Sequence, residues 1–125
     1  GVNDAWENYK TEDYGPLLRP AEPHFREICR RIKTELPEVQ FLYITPFMID
    51  TVEEKLPFHK TLDEYCALLK NIAAESGALT VDMQQVFNQA QKDIAPEKLA
   101  IDGIHPTNLG HKIMADAIYA KVEFC

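Results

Sequence analysis

Val39-Gln40-Phe41-Leu42-Tyr43-Ile44-Thr45 decides the fold class. The run is nearly continuous in β-branched and aromatic residues, with no apolar/polar alternation. A strand reads this way when both its faces are covered, as in a parallel sheet flanked by helices. Outward from it the text alternates. Phe25, Ile28, Ile32 and Leu36 recur at helical spacing before it, and Pro37 stops that helix, which is expected over about 24–36. After it, Pro46 to Pro57 reads as a loop. Thr61-Leu62-Asp63-Glu64 has the form of a capping box. The helix it opens points Leu62, Tyr65, Leu68, Leu69 and Ile72 inward and ends at Gly77, a natural residue just past a helix end. Ala78–Val81 reads as a second short strand. A third helix is expected over about 84–94, with Val86, Phe87 and Ala90 on one face. A last one is expected over about 108–122, with Leu109, Ile113, Ala117 and Ile118 inward. Residues 1–23 carry Gly1, Gly15, Pro16, Pro20 and Pro23, and read as loop.

Alternating helices and strands imply a parallel sheet with crossover helices on both faces. Two strands for four helices is a poor core, since each strand expects neighbours. The expectation is therefore a partial α/β three-layer sandwich, residues 1–125 being the C-terminal portion of a single domain. Further strands would come from a preceding segment, a second chain or exchange within a homo-oligomer. The chain of 125 residues carries a net charge of −7, which disfavours nucleic acid and anionic membrane surfaces as partners. No apolar run reaches the ~18–20 residues of a membrane span. Cys29, Cys66 and Cys125 are odd in number and show no metal spacing, which points mildly to a reducing compartment such as the cytoplasm.

The chemistry concentrates in Asp102-Gly103-Ile104-His105-Pro106-Thr107, a carboxylate three residues before an imidazole on a Gly/Pro-rich loop. In one reading His105 is a general base, with Asp102 fixing its tautomer and stabilising the imidazolium. In the other, Asp102 forms a turn and His105 caps the last helix. Gly1-Val2-Asn3-Asp4-Ala5-Trp6 is the second stretch. Asn3 could present its amide to a developing oxyanion, a donor worth roughly 10²–10³ in rate, or form an ordinary Asx turn. Gly1 would let backbone approach the reacting atoms, and Trp6 would wall a substrate pocket or anchor the core. A metal site built from Asp102, His105 and His111 is a third chemistry, although His105 and His111 do not share a helical face. Phe47-Met48-Ile49 reads as core or as an acyl-pocket wall. His24 and His59 read as caps or as facing water. The only serine, Ser76, sits at a helix C-terminus, where the dipole disfavours an alkoxide.

Taken together, the two stretches resemble the SGNH (GDSL-type) hydrolases. Gly1-Val2-Asn3-Asp4 is similar to that family's third block, G-x-N-D. Asp102 to Thr107, with Gly110-His111, is similar to its fifth, D-x-x-H-P-T-x-x-G-H. Between them Leu36-Pro37-Glu38-Val39, Thr45-Pro46-Phe47, Ser76-Gly77-Ala78 and Val81-Asp82 fit as well, so the resemblance spans the whole chain. It is strongest to bacterial acetyl esterases, the branch that includes acetylxylan esterases. The resemblance implies a flavodoxin-like αβα sandwich of about five parallel strands, with the site at their carboxyl ends. It implies His105 as base, Asp102 as its orienting acid and Asn3 as one oxyanion donor, with no metal or cofactor. The substrate would be a small acyl ester, an acetyl group on a carbohydrate included. The family's nucleophilic serine belongs to a block before the third and has no counterpart here. The chain alone is therefore expected to be inactive. A truncated domain serving only binding or assembly is the alternative. Activity of the intact enzyme would rise as an imidazole deprotonates, near about 6.5 when unperturbed.

Overall fold

A computed structural model describes residues 1–10 and 14–122. Among them lie helices α1 (Val2–Lys10), α2 (Tyr14–Glu35), α3 (Leu56–Glu75), α4 (Met83–Ala90), α5 (Pro96–Leu99) and α6 (Asn108–Tyr119), and strands β1 (Leu42–Ile44) and β2 (Leu79–Val81). The strands pair in parallel, Leu42 opposite Leu79, Tyr43 opposite Thr80 and Ile44 opposite Val81. Thr45 N–H extends the pairing to the Val81 carbonyl at 3.1 Å.

The packing of the chain from Leu42 to Ile49 explains why its sequence is apolar without alternation. Successive side chains point to opposite faces of a sheet, and residues on both faces here pack into clusters, although Ile44 itself is left exposed. Tyr43 and Met48 join one cluster, with Ala5, Phe58, Leu62, Tyr65, Cys66 and Leu69 of α1 and α3. Leu42, Phe47 and Ile49 join another, with Met83 and Phe87 of α4, Leu99 of α5, and Ile113 and Ala117 of α6. The result is three layers: α1 and α3 on one side, the strands between, α4 to α6 on the other. Phe47, Met48 and Ile49 are all buried, which resolves them as core.

Several elements differ from expectation. Within the segment 1–23, residues 2–10 and 14–23 are helical rather than loop, and residues 11–13 lie outside the described residues. Val2, Ala5, Trp6 and Tyr9 fall at i, i+3, i+4 and i+7, an apolar face that packs on the α3 cluster. The α2 helix runs through positions 16, 20 and 23 although proline cannot donate to the helical ladder. Tertiary packing outweighs that local cost: Phe25 joins the first cluster, and Arg26 pairs with Glu75 of α3. Ile28 and Leu36 of the expected inward stripe are instead more than half exposed, and Leu109 of α6 is also exposed.

The start of α3 is set by Lys55 as N-cap and Pro57 in the first turn, not by Thr61. Proline's fixed φ and missing donor suit a first turn. Thr61 lies one turn inside the helix, fully buried with an unpartnered hydroxyl. Gly77 does end α3, with φ +66°. The strands are shorter than expected at three residues each, and α4 ends at Ala90 because residues 91–93 turn away before the unforeseen α5. His24 is exposed, whereas His59 is half-buried on α3 and its Nδ1 meets Asp50 Oδ1 at 2.9 Å. Cys29 and Cys66 are free thiols, burial pushing Cys66 up to about 11, and Cys125 lies outside the described residues. No helix among the described residues is long and apolar enough to cross a membrane.

Candidate active site

The loop 100–107 is built largely from its own residues. Ala100 and Pro106 face each other in a single antiparallel bridge, and Thr107 N–H donates to Leu99 O at 2.8 Å. Gly103 makes the turn at φ +85°; a Cβ there would stand 2.4 Å from the Ile49 carbonyl oxygen, so no other residue fits. Ile49 N–H in turn donates to Gly103 O at 2.8 Å, fastening the loop to the chain that continues β1.

Within this frame Asp102 performs two tasks. Its Oδ1 accepts from the backbone N–H of Ile104 (3.2 Å) and of His105 (2.9 Å), which shapes the turn. Its Oδ2 lies 2.7 Å from His105 Nδ1. Asp102 thus forms the turn and also lies against the His105 ring. The capping reading of His105 is not realised. The N-cap of α6 is Thr107, whose Oγ1 accepts from Gly110 N–H at 3.1 Å.

Burial acts to raise the Asp102 carboxyl. Hydrogen bonds from the His105 ring and from the backbone of His105 and Ile104, with the charge of Lys55, outweigh it and hold the group well below the usual carboxylate range. A carboxylate that stays ionised accepts the Nδ1 proton of neutral imidazole and leaves Nε2 with its lone pair for a substrate or nucleophile. The His105 side chain is 80% exposed, so that nitrogen is accessible.

Asp102 and His105 open onto a cavity of about 320 Å³ that is also lined by Val2, Asn3, Trp6, Lys55, Phe58 and Ile104. The two stretches singled out in the sequence, about a hundred residues apart, therefore meet at one cavity. Asn3 lies in the first turn of α1, so it is a helical residue rather than part of an Asx turn. Trp6 is both wall and anchor: half-buried, it lines the cavity and packs edge-on against Phe58 at 5.1 Å between ring centroids. Gly1 is not among the lining residues. A Cβ on it would lie 3.0 Å from the Tyr65 ring, so its small size lets α1 seat on α3. Lys55, which sequence reasoning missed, reaches Asp102 from the start of α3. No short motif marks it, because the contact spans 47 residues of chain.

Other candidates stand apart. Ser76 caps the C-terminus of α3, its Oγ donating to Ala73 O at 3.0 Å, at the amino end of the strands and away from His105. Among the described residues no three His, Cys, Asp or Glu side chains are grouped to hold a metal ion, so Asp102, His105 and His111 do not form the trio considered above.

The sequence profile of the GDSL-like lipase/acylhydrolase family matches residues 1–113. The chain belongs to that family, one of carboxylic ester hydrolases. It is 31% identical over 129 aligned residues to an acetylxylan esterase of Geobacillus stearothermophilus, covering 99% of this chain and 57% of that one. A crystal structure of a G. stearothermophilus acetylxylan esterase superposes with a TM-score of 0.79 at 33% identity, over all of this chain and 57% of its own. A GDSL-like lipase from Parabacteroides merdae superposes with a TM-score of 0.82 at 26% identity, over 97% of this chain and 56% of its own. The chain thus has the α/β fold of the GDSL family's hydrolases and spans a little over half the length of these relatives.

Proposed function

We propose that this chain supplies the base, the orienting acid and one oxyanion donor of a serine esterase that cleaves small acyl esters. The observation that carries the reading is the 2.7 Å contact between His105 Nδ1 and Asp102 Oδ2 on the wall of the cavity that Asn3 also lines. His105 Nε2 takes the proton of a serine hydroxyl as it attacks the ester carbonyl, then returns a proton to the departing alcohol. Asn3 donates to the oxygen that becomes negative. Water repeats the sequence on the acyl-serine, with His105 again as base.

The nucleophile comes from polypeptide outside this chain, which also completes the sheet beside β1 and β2; residues 1–125 form the C-terminal portion of that one domain. The related G. stearothermophilus esterase supports this division. Its catalytic mutants replace a serine near its N-terminus, and an aspartate and a histidine three positions apart, the spacing of Asp102 and His105. An acetyl ester of a carbohydrate is the substrate that this relative suggests, and the apolar walls Val2, Trp6, Phe58 and Ile104 suit a short acyl group.

Turnover of p-nitrophenyl acetate tests the reading. The full-length protein should be active, the 125-residue chain inactive, and His105→Ala should lower kcat/KM on the order of 10⁴-fold or more. Robust turnover by the 125-residue chain, or full activity of the variant, would refute it.

A further inference from the structure

Among the described residues that line the cavity, Lys55 is the charged one that this mechanism does not use. It ends the 3-10 turn at residues 53–55 and serves as N-cap of α3, and its side chain is 22% exposed. Its Nζ donates to the backbone carbonyl of Asp102 at 2.7 Å and stands 3.4 Å from Asp102 Oδ2.

The next peptide of the loop is fastened from outside as well, by Ile49 N–H on the Gly103 carbonyl. The Ile49 tie is backbone to backbone and survives a change of side chain. The Asp102 tie depends on a lysine. It holds the peptide whose side chain must meet His105 Nδ1, so it sets where that carboxylate stands. A cation is suited to both contacts, because it donates to the carbonyl and also keeps the carboxylate ionised.

We propose that Lys55 is a positioning residue of the esterase, fixing the Asp102 peptide and carboxylate so that His105 is held as base. The inference rests on the reading of His105 and Asp102 given above. The titratable groups facing His105 across the cavity are Asp102 from its own loop and Lys55 from the start of α3. The lining residues from α1, Val2, Asn3 and Trp6, and Phe58 from α3 carry no charge. Removing the lysine therefore removes, among the described residues lining the cavity, the one cation opposing an imidazolium there.

The test uses the full-length protein, with p-nitrophenyl acetate kinetics across about pH 5–9 and melting temperatures for each variant. Lys55→Met should lower kcat about tenfold or more while KM stays within about twofold, a cost of misplacing the acid rather than of losing substrate contact. Its acid limb should move to higher pH. Lys55→Arg, which keeps charge and donor, should recover most of kcat and the wild-type limb. Lys55→Gln, a neutral donor, should recover part of kcat but not the limb. Wild-type kcat and an unmoved limb in Lys55→Met would overturn the assignment. If Lys55→Met does not fold, the Gln variant decides: an unmoved limb in it overturns the role equally. His105→Ala separates the two levels. Full activity there sinks the esterase reading itself, while an inactive His105→Ala beside an unaffected Lys55→Met sinks only Lys55.

Discussion

The loop 100–107 and helix α1 bring the two halves of the candidate site together by different means. The loop is shaped largely by its own hydrogen bonds and tied from outside at two peptides, by Lys55 on the Asp102 carbonyl and Ile49 on the Gly103 carbonyl. Asp102 accepts from Ile104 and His105, Thr107 caps α6, and Ala100 faces Pro106. Asn3 owes its place to a surface more than fifty residues away in the chain, because α1 is seated by Ala5, Trp6 and Tyr9 against Phe58 and Tyr65 of α3. His105 and Asp102 are placed mainly by local hydrogen bonds, with Lys55 added from α3. Asn3 is placed by packing. Substitutions should therefore separate the two halves.

The largest separation should come from Phe58→Ala. Phe58 is 1% exposed beneath α1, and the cavity left by such a truncation costs about 3–5 kcal/mol. The melting temperature and kcat of the full-length protein should fall, while the His105 ring resonances still show the hydrogen bond to Asp102. Loss of that bond in the variant would show that the loop leans on α1 after all. A smaller and purely functional effect is expected from Asn3→Ala. Asn3 is exposed, so thermal unfolding should be unchanged, while kcat drops by roughly 10²–10³. Unchanged kcat would remove Asn3 from the site and leave its helix a purely structural element.

The same contrast governs what the sequence alone discloses. The loop was legible because its residues carry their own geometry: an acid and a base three apart, a glycine at the turn and a threonine at the cap. The layered fold was legible from the unbroken apolar run of β1, whose residues feed two clusters. Helix α1 was not read as a helix. Its apolar spacing is sound, but Gly1 and the Asn-Asp pair resemble turn text, and its partner surface lies far along the chain. The prolines of α2 misled in the same way, since a local breaker says nothing of the packing that overrides it. The capping-box text at Thr61 likewise lost to Pro57, which sits in the true first turn. Lys55 left no trace because a single long side chain reaching across the fold has no local pattern.

One measurement bears on the meeting of the two halves most directly: the structure of the full-length protein after reaction with an organophosphate ester. A phosphoryl group should be found on a serine upstream of Gly1, lodged in the cavity of Asn3, Trp6 and Phe58. One phosphoryl oxygen should lie within hydrogen-bond distance of the Asn3 amide, with His105 Nε2 beside the serine oxygen. An adduct on Ser76, or one that leaves Asn3 and His105 on separate surfaces, would contradict the account.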